Sequence, residues 1–557
     1  MLVMVSEPIY PLKQEGTPRL KPVVWTIAGS DSGGGAGIQA DLATLNDLQC
    51  HACTVITAVT AQNSIMLDSV NPVDASILLA QLNCLLRDLP PDAIKIGLIA
   101  DQTQLNMLAN WLATELEEYK RLYDKQIPII LDPVMLASCG EALTSVVDYS
   151  VLKGLLTLIT PNAKELSRLS GETAESIDDF ADIAVQLAAS LQTNLLLKGG
   201  DKGGFWDAEY AKDLFICRGV TDVSLSHQGR HFILSSPRSD NPNSHGCGCT
   251  LSSAIAAFSG HGYVLHDAIL LAKAYVSQGI AHGQAFGKGA GPLARMGWPS
   301  DLAQFPHIST AGSDVNGLDN GCGSVIGRQS LPETLSFAQL TDPLDIYPVV
   351  DGVVLLESLL LSGATTVQLR LKVGKMLDEQ RLEQEIIKAI ALGRRYQAQV
   401  FINDHWQLAL KHGAFGVHLG QEDLYDADLV QIAAKGLALG ISSHGYFELK
   451  LAAQIKPSYI ALGHIFVTTT KQMPSKPQGV RKLSRYAQLL AGHFPSVAIG
   501  GIDAQRLEDV KSTGVDGIAV VRAISHAASP VLAYQSLYHS WRYSSVPVDR
   551  EVLAYEH

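Results

Sequence analysis

Charge is scarce in this chain: Asp, Glu, Lys and Arg make up 17% of its 557 residues, and the balance is acidic, at −13. That excludes a sequence-independent nucleic-acid binder, which needs a basic surface. Cysteine is also sparse. The eight cysteines stand at Cys50, Cys53, Cys84, Cys139, Cys217, Cys247, Cys249 and Cys322, without a regular spacing. Such usage speaks for reduced thiols and against a disulfide scaffold. No long apolar run reads as a membrane span. Asn241 to His266 lacks Asp, Glu, Lys and Arg, but its Gly, Ser and His content argues against one. The start, "MLVMVSEPIYPLKQEGTPRLK", has too short an apolar run for a signal peptide. A cytoplasmic protein is expected.

What is present in quantity is apolar surface, 47% of residues, and glycine, at 48. A chain of this length predicts two or three domains. Residues 1–21 read as a loose tail. Over 22–299, apolar runs such as "VVWTIAGS", "CTVITAV", "AIKIGLI", "PIILDPV", "LLTLITPN" and "TNLLLKGG" alternate with helical patterns. That rhythm predicts an α/β sandwich with a mainly parallel central sheet. Residues 300–343, rich in Gly, Ser, Asp and Asn, read as a linker. Over 344–544 come "IYPVV", "TVQLR", "QVFIND", "GVHLG", "LGISSH", "YIALGHI", "SVAIGG" and "GIAVVRA", each followed by a plausible helix. Eight such units predict a (β/α)8 barrel of the TIM type. Residues 545–557 read as a C-terminal tail.

In the first half, "TIAGSDSGGGAGIQADL" (Thr26 to Leu42) runs from a strand through a turn with five glycines into a helix. Glycine there lets backbone approach a ligand, and the missing G-K-[ST] excludes a P-loop. "ILDPVM" ends a strand at Asp132, and "TPNAKEL" ends another at Asn162 and Glu165. Acids beyond parallel strand ends suggest one Mg²⁺ or Mg²⁺-water site, although each could equally be a helix cap. "LLLKGGDKGG" places Lys198 before a Gly-Gly turn, suited to nucleotide phosphate. "NSHGCGCTLSSAIAAF" feeds a Gly-containing turn into a helix whose first N–H groups form an anion hole, with Gly246 and Gly248 in the turn. Cys249 stands at its edge. A helix start lowers a thiol pKa, so a thiolate accepting a hydroxyl proton is expected. His245, Cys247 and Cys249 are too tightly spaced to close a zinc tetrahedron easily.

These motifs resemble the ribokinase-like kinases, and within them the hydroxymethylpyrimidine/phosphomethylpyrimidine kinases. The resemblance rests on "AGSDSGGGAGIQADL", "ITAVTAQNS", "KIGLI", "LDPVM", "TPNAKEL", "LKGG", "HGCGCTLS" and "GKGAGP". It implies two ATP-dependent phosphorylations of 4-amino-5-hydroxymethyl-2-methylpyrimidine, with Cys249 as base. It places Gly29, Asp41 and Gln62 at the pyrimidine, Lys198, Asn162 and Glu165 at the nucleotide, and Asp132 and Glu165 near Mg²⁺. Cys247 stands where the family commonly has Thr. A kinase for another small alcohol, such as pyridoxal, is the rival reading, and Gln62 with Cys249 favours the pyrimidine.

In the second half, "TVQLRLK" puts Arg370 and Lys372 at a strand end, both apt for diphosphate. "VFINDHWQLAL" adds Asn403 and Asp404; "GVHLGQEDL" adds Gln421, Glu422 and Asp423. Asp404 and Asp423 could jointly hold Mg²⁺. "GHIFVTTTKQ" offers threonines and Lys471, while "AIGGI" and "AVVRA" offer backbone N–H groups for a phosphate, where barrels of this type commonly bind one. Together with "YPVVD", "GISSH" and "GIAVVRAI", the set resembles thiamine-phosphate synthase. That resemblance implies a diphosphate-leaving coupling to hydroxyethylthiazole phosphate, with Arg370 and Lys471 assisting departure. Gln368, Arg370, Lys372, Asn403, Ser442 and Lys471 would bind the pyrimidine diphosphate. Thr468, Thr470, Gly500, Gly501, Val520 and Val521 would bind the thiazole phosphate. Leu371, Val467 and Arg522 depart from the common pattern. Small-molecule substrates, Mg²⁺ at both sites and a homo-oligomer are the implied partners. Replacing Cys247 by Thr should leave pyrimidine phosphorylation largely intact, whereas Cys249→Ala should cost the first phosphorylation heavily; steady-state assays of both variants check this.

Overall fold

The computed structural model describes residues 21–135, 143–146, 148–174, 176–200, 209–218, 231–310, 325–326, 329–330, 335–371, 378–468 and 476–543. The chain divides into two compact units, one reaching to Asp319 and the other taking the rest, apart from 222–228, which fall with the second unit.

The first unit is built on a ten-stranded sheet. Its strands are β1 (Val23–Ser30), β2 (His51–Gln62), β3 (Leu67–Pro72), β4 (Ala93–Ile96), β5 (Ile129–Leu131), β6 (Leu158–Ile159), β7 (Asn194–Leu197), β8 (Tyr210–Ile216), β9 (His231–Pro237) and β10 (His307–Thr310). The spatial order is β10-β9-β8-β7-β6-β5-β4-β1-β2-β3. From β2 to β7 all neighbours run parallel. The edges are antiparallel, β3 on β2 at one side and β8, β9 and β10 at the other. The expected mainly parallel sheet is therefore extended at both edges by antiparallel strands. Strand β10 lies inside the stretch read as a linker: Ile308 pairs with Leu234 and is fully buried. One apolar residue per turn of the pleat is enough to dock a polar-looking segment on an open edge.

Helices cover both faces: α1 (Gly37–Asp47), α2 (Ala75–Asp88), α3 (Gln102–Trp111), α4 (Glu117–Tyr123), α5 (Ala163–Ser170), α6 (Ile177–Leu191), α7 (Cys247–Gly260) and α8 (Leu265–Ala281). Helix α7 is apolar all round, with every residue from Cys249 to Ser259 buried. That explains the uncharged run that imitates a membrane span: it crosses the domain, not a bilayer. Among the described residues no helix is long and apolar enough to cross a membrane.

In the second unit a two-residue hairpin, β11 (Val325–Ile326) and β12 (Gln329–Ser330), precedes a closed barrel. The barrel strands are β13 (Asp345–Val350), β14 (Thr366–Leu369), β15 (Gln399–Asn403), β16 (Gly416–Leu419), β17 (Ala438–Ser443), β18 (Tyr459–Leu462), β19 (Ser496–Ile499) and β20 (Gly517–Val520). All eight coincide with the runs read from the sequence, and β20 pairs parallel with β13 to close the ring. Helices α9 (Val353–Leu361), α10 (Glu379–Tyr396), α11 (Trp406–His412), α12 (Leu429–Ala434), α13 (Tyr446–Ile455), α14 (Gly479–Leu490), α15 (Leu507–Ser512), α16 (Arg522–Ser525) and α17 (Pro530–Tyr543) follow the strands. The end of the presumed linker belongs here: Phe337 is buried, and the Ala338 N–H donates to the Leu437 carbonyl at 3.2 Å.

Inside the ring, size alternates between neighbouring strands. The Phe401 ring fills the place a side chain at Gly416 would need, and the Tyr459 ring fills that of Gly440. A Cβ at Gly440 would lie 2.2 Å from Tyr459 Cζ. Overpacking of this kind costs about 1–3 kcal/mol. Gly440→Ala should therefore lower the barrel's unfolding midpoint in denaturant, with little effect on the transition of the first unit.

Candidate functional sites

The kinase-like site is assembled where two glycine turns touch. Gly246, at the N-terminus of α7, has φ +77°, and a Cβ there would lie 2.0 Å from the Gly35 carbonyl. A Cβ at Gly35 would in turn strike the His245 ring at 2.2 Å. No other residue type permits this contact without moving backbone. Asp31 ties the pair together. Its carboxylate accepts the N–H groups of Gly33, Gly35 and Ala36 at 2.8, 3.1 and 2.8 Å, and His245 Nε2 lies 3.5 Å away. Burial opposes its charge, but these donors win and hold the carboxyl below its ordinary pKa. His245 thus serves the glycine turn rather than a metal. Ser32 Oγ closes a further link by bonding the backbone of Gln62.

Beneath Gly248 lie the strand ends. A Cβ there would meet Lys198 Nζ at 3.2 Å and Asp132 Oδ2 at 3.3 Å. Lys198 pairs with Asp132 at 2.7 Å and with Glu165 at 3.6 Å. Burial alone would strip its proton, yet the two carboxylates keep it charged and raise its pKa. The sequence reading gave Lys198 to the nucleotide and Asp132 and Glu165 to a metal. In the structure the lysine bridges the two carboxylates and offsets one of their charges. Asn162 and Glu165 are also fixed to backbone as a capping box at the start of α5, as the alternative reading allowed. Among the described residues no group of three or more His, Cys, Asp or Glu side chains is arranged to hold a metal.

Two expectations are corrected. Asp41 does not face a pyrimidine: it is fully buried, with Oδ2 taking Thr26 Oγ1 at 2.5 Å and Lys95 Nζ at 2.7 Å, and Oδ1 taking Ser253 Oγ at 2.7 Å. Cys249 is not a lowered thiol. Burial pushes it up to about 11, against the opposing pull of Lys95, with Asp41 and Asp132 adding to the rise and the Gly37 N–H resisting it. Desolvation at 8% exposure outweighs the helix start. Gln62 remains half-buried with no side-chain partner among the described residues. Gly29, in the strand end, packs against Leu98, whose Cδ2 would lie 2.7 Å from a Cβ.

The second site lies at the carboxyl rim of the barrel. Gln368 ends β14 buried, and Arg370 follows half-buried, its N–H bonded to the Val350 carbonyl at 2.8 Å. Asn403 is buried at the end of β15, and Asp404 next to it has φ +63°. Asp423 opens the turn after β16 and accepts the Gly420 N–H at 3.2 Å. Gly500 and Gly501 both have positive φ after β19, and side chains there would strike His464, Phe466 and the Val467 carbonyl. Val520 is buried at the end of β20, with Val521 at the start of α16. Thr468 is half-buried. Lys372, Thr470 and Lys471 lie outside the described residues.

A polar chain missed in the sequence links these strand ends from inside. Gln368 Nε2 donates to Tyr347 Oη at 3.2 Å, which lies 2.9 Å from Tyr459 Oη. His418 joins Tyr459 Oη at 2.7 Å to Ser442 Oγ at 2.9 Å. Gln421 Nε2 donates to the Ser442 carbonyl at 2.6 Å. Only the polar residues in "YPVV", "GVHLG" and "YIAL" hinted at it. Burial, with Arg370 nearby, drives His418 down to about 3, so its imidazole is neutral. A depressed base contributes stability that is complete above its unfolded pKa of about 6.5 and is lost as pH falls towards 3. The barrel's unfolding midpoint should therefore fall between about pH 6 and pH 4, and His418→Gln should flatten that slope in denaturant titrations.

Residues 31–294 match the family model described as phosphomethylpyrimidine kinase, and residues 346–524 match that of thiamine monophosphate synthase. A thiamine-phosphate synthase from Yersinia pseudotuberculosis is 53% identical over 206 residues, covering 37% of this chain and 94% of that protein. Among solved structures, the pyridoxal kinase of Staphylococcus aureus with AMP-PCP is 26% identical, covering 52% of this chain and 99% of that one at a TM-score of 0.43. A phosphomethylpyrimidine kinase from Clostridium difficile 630 is 29% identical, covering 47% of this chain and all of that one at a TM-score of 0.36. Through its barrel the chain belongs to the thiamine-phosphate synthase family, and with the phosphomethylpyrimidine kinase domain ahead of it this is a bifunctional enzyme of thiamine biosynthesis.

Proposed function

We propose that the first unit phosphorylates 4-amino-5-hydroxymethyl-2-methylpyrimidine and then its monophosphate with ATP. The barrel couples the resulting diphosphate to hydroxyethylthiazole phosphate, giving thiamine phosphate and diphosphate. The observation that carries this is the meeting of Gly246, Gly248 and Cys249 with Lys198, Asp132 and Glu165 at one edge of the sheet. Backbone N–H groups at the start of α7 receive the transferring phosphoryl group. In its thiolate form Cys249 accepts the hydroxyl proton as the new O–P bond forms and the bond from the γ-phosphorus to ADP breaks. Because burial keeps it a thiol, the first step should quicken as pH rises. Gln62 reads the aminopyrimidine edge, where an amide matches both a donor and an acceptor, and Gly29 gives the ring close approach. Lys198 faces the nucleotide phosphates, with Asn162 and Glu165 holding the loop that carries it. Asp132 and Glu165 do not form a direct metal cage, since Lys198 occupies them; Mg²⁺ here belongs to the nucleotide phosphates.

In the barrel, Asp404 follows β15 and Asp423 stands in the turn after the neighbouring β16, and together they suit a Mg²⁺ that shares the substrate's diphosphate, which needs only one or two carboxylates. Bound there, the ion would neutralise the leaving group. Arg370, Lys372 and Lys471 add positive charge to the same oxygens. Gln368, Asn403 and Ser442 orient the pyrimidine. The C–O bond to diphosphate breaks, the ring stabilises the methylene cation, and the thiazole nitrogen adds to it. The glycines at Gly500 and Gly501, with Thr468, Thr470, Val520 and Val521, seat the thiazole phosphate through backbone and hydroxyl groups. Such chemistry rests on charge and positioning rather than a protein nucleophile. Both activities act on small phosphorylated molecules in water, which suits a cytoplasmic homo-oligomer.

With the alcohol, thiazole phosphate and Mg-ATP supplied together, the wild type should make thiamine phosphate. Cys249→Ala should fail unless pyrimidine diphosphate is added, and Arg370→Ala should accumulate that diphosphate. Chromatography of the reaction separates these cases, and a strong preference for pyridoxal over the pyrimidine would overturn the kinase reading.

A further inference from the structure

Lys95 sits in β4 with no exposed atom, a place where an ammonium group is stable only beside an anion. The partner is Asp41 on α1, at 2.7 Å. Burial lowers the pKa of Lys95, but Asp41 more than offsets this, with Cys249 and Asp132 adding to the rise, so the charge stays. A Cβ at Gly97 would lie 2.6 Å from Lys95 Nζ, so that glycine leaves room for the ammonium group. Asp41 also accepts Thr26 Oγ1 from β1 and Ser253 Oγ from α7. Ser253 is four residues beyond Cys249, on the same face of α7. The pair is thus anchored one helical turn below the thiol. The proposed reaction uses neither charge directly, and a buried ion pair adds little stability over apolar packing.

We propose that Lys95 and Asp41 are positioning residues that set, from between the sheet and α7 and with opposite signs, how readily Cys249 gives up its proton. The inference rests on the reading of Cys249 as the acceptor of the hydroxyl proton. The charged groups around the thiol come from β4, α1, the ends of β5 and β7, α5 and the two glycine turns. Lys95 on β4 and Asp41 on α1 form one neutral pair; Asp132 after β5 and Lys198 after β7, with Glu165 on α5, form a second cluster on the other side. Asp31 and His245 complete the ring in the glycine turns. Within the first pair the lysine favours the thiolate and the aspartate disfavours it. Removing either one should therefore move the thiol in opposite directions, which a purely structural role would not do.

The test follows alkylation of Cys249 by iodoacetamide in the full-length protein against pH, read by peptide mass spectrometry, with exposed Cys84 as internal reference. In Lys95→Met the profile for Cys249 should move up, so that its alkylation at a fixed pH of about 9.5 slows roughly tenfold, and in Asp41→Asn it should move down, so that alkylation quickens by a similar factor. Lys95→Arg should restore the wild-type profile. The pH dependence of kcat/KM for the first phosphorylation should shift in the same senses. If Lys95→Met does not fold, Asp41→Asn decides alone. Profiles that stay put or move together in both variants would overturn the proposal. Absence of pyrimidine phosphorylation in the wild type would overturn the kinase reading instead, while the alkylation profiles still judge the ion pair.

Discussion

The kinase half depends on one close approach: the backbone of Gly246 against the carbonyl of Gly35. Two turns, far apart in sequence, can share one small volume only because neither carries a side chain there. That contact puts the start of α7 over the ends of the parallel strands. Everything polar in the site is then arranged around it. Asp31 and His245 stitch the turns together from outside, and Asp132, Lys198 and Glu165 close the floor. The arrangement is dry enough to lift Cys249 to about 11, which, in the role proposed for it, is the cost of placing a base where a phosphoryl group must be shielded from water.

The barrel solves a related problem differently. Its rim must hold two phosphorylated partners without a covalent intermediate. The ring interior is filled by Phe401 and Tyr459 against Gly416 and Gly440, which leaves the polar ends of Tyr347, Tyr459, His418 and Ser442 to bond one another just below the rim. A neutral His418 donates from one ring nitrogen and accepts at the other, so it can join two hydroxyl groups without bringing charge. The groups above it are thereby held in place, which is what a reaction governed by positioning requires.

Much of this was legible in the sequence. All eight barrel strands follow from apolar runs, each followed by a helix, because a parallel barrel buries both faces of each strand. Asp132, Arg370, Asn403 and Asp404, read as strand-end residues, do lie at the carboxyl ends of parallel strands. The misses have physical reasons. Strand β10 lies in a stretch rich in Gly, Ser, Asp and Asn, so it reads as linker. Asp41 is placed at the pyrimidine by the family resemblance; only the fold reveals Lys95, Thr26 and Ser253 converging on it. The thiol of Cys249 was judged by its helix, whereas burial, which no local pattern shows, decides its proton affinity. A lysine within the apolar run "AIKIGLI" was the one visible clue to that buried charge.

The central claim is that one half makes the leaving group the other half expels. Labelling tests it directly. ATP carrying label in its γ-phosphate is supplied with hydroxymethylpyrimidine and unlabelled thiazole phosphate. The account predicts that the label leaves in diphosphate, with both phosphorus atoms labelled, and that thiamine phosphate carries none. Label in thiamine phosphate, or unlabelled diphosphate released alongside the product, would contradict it.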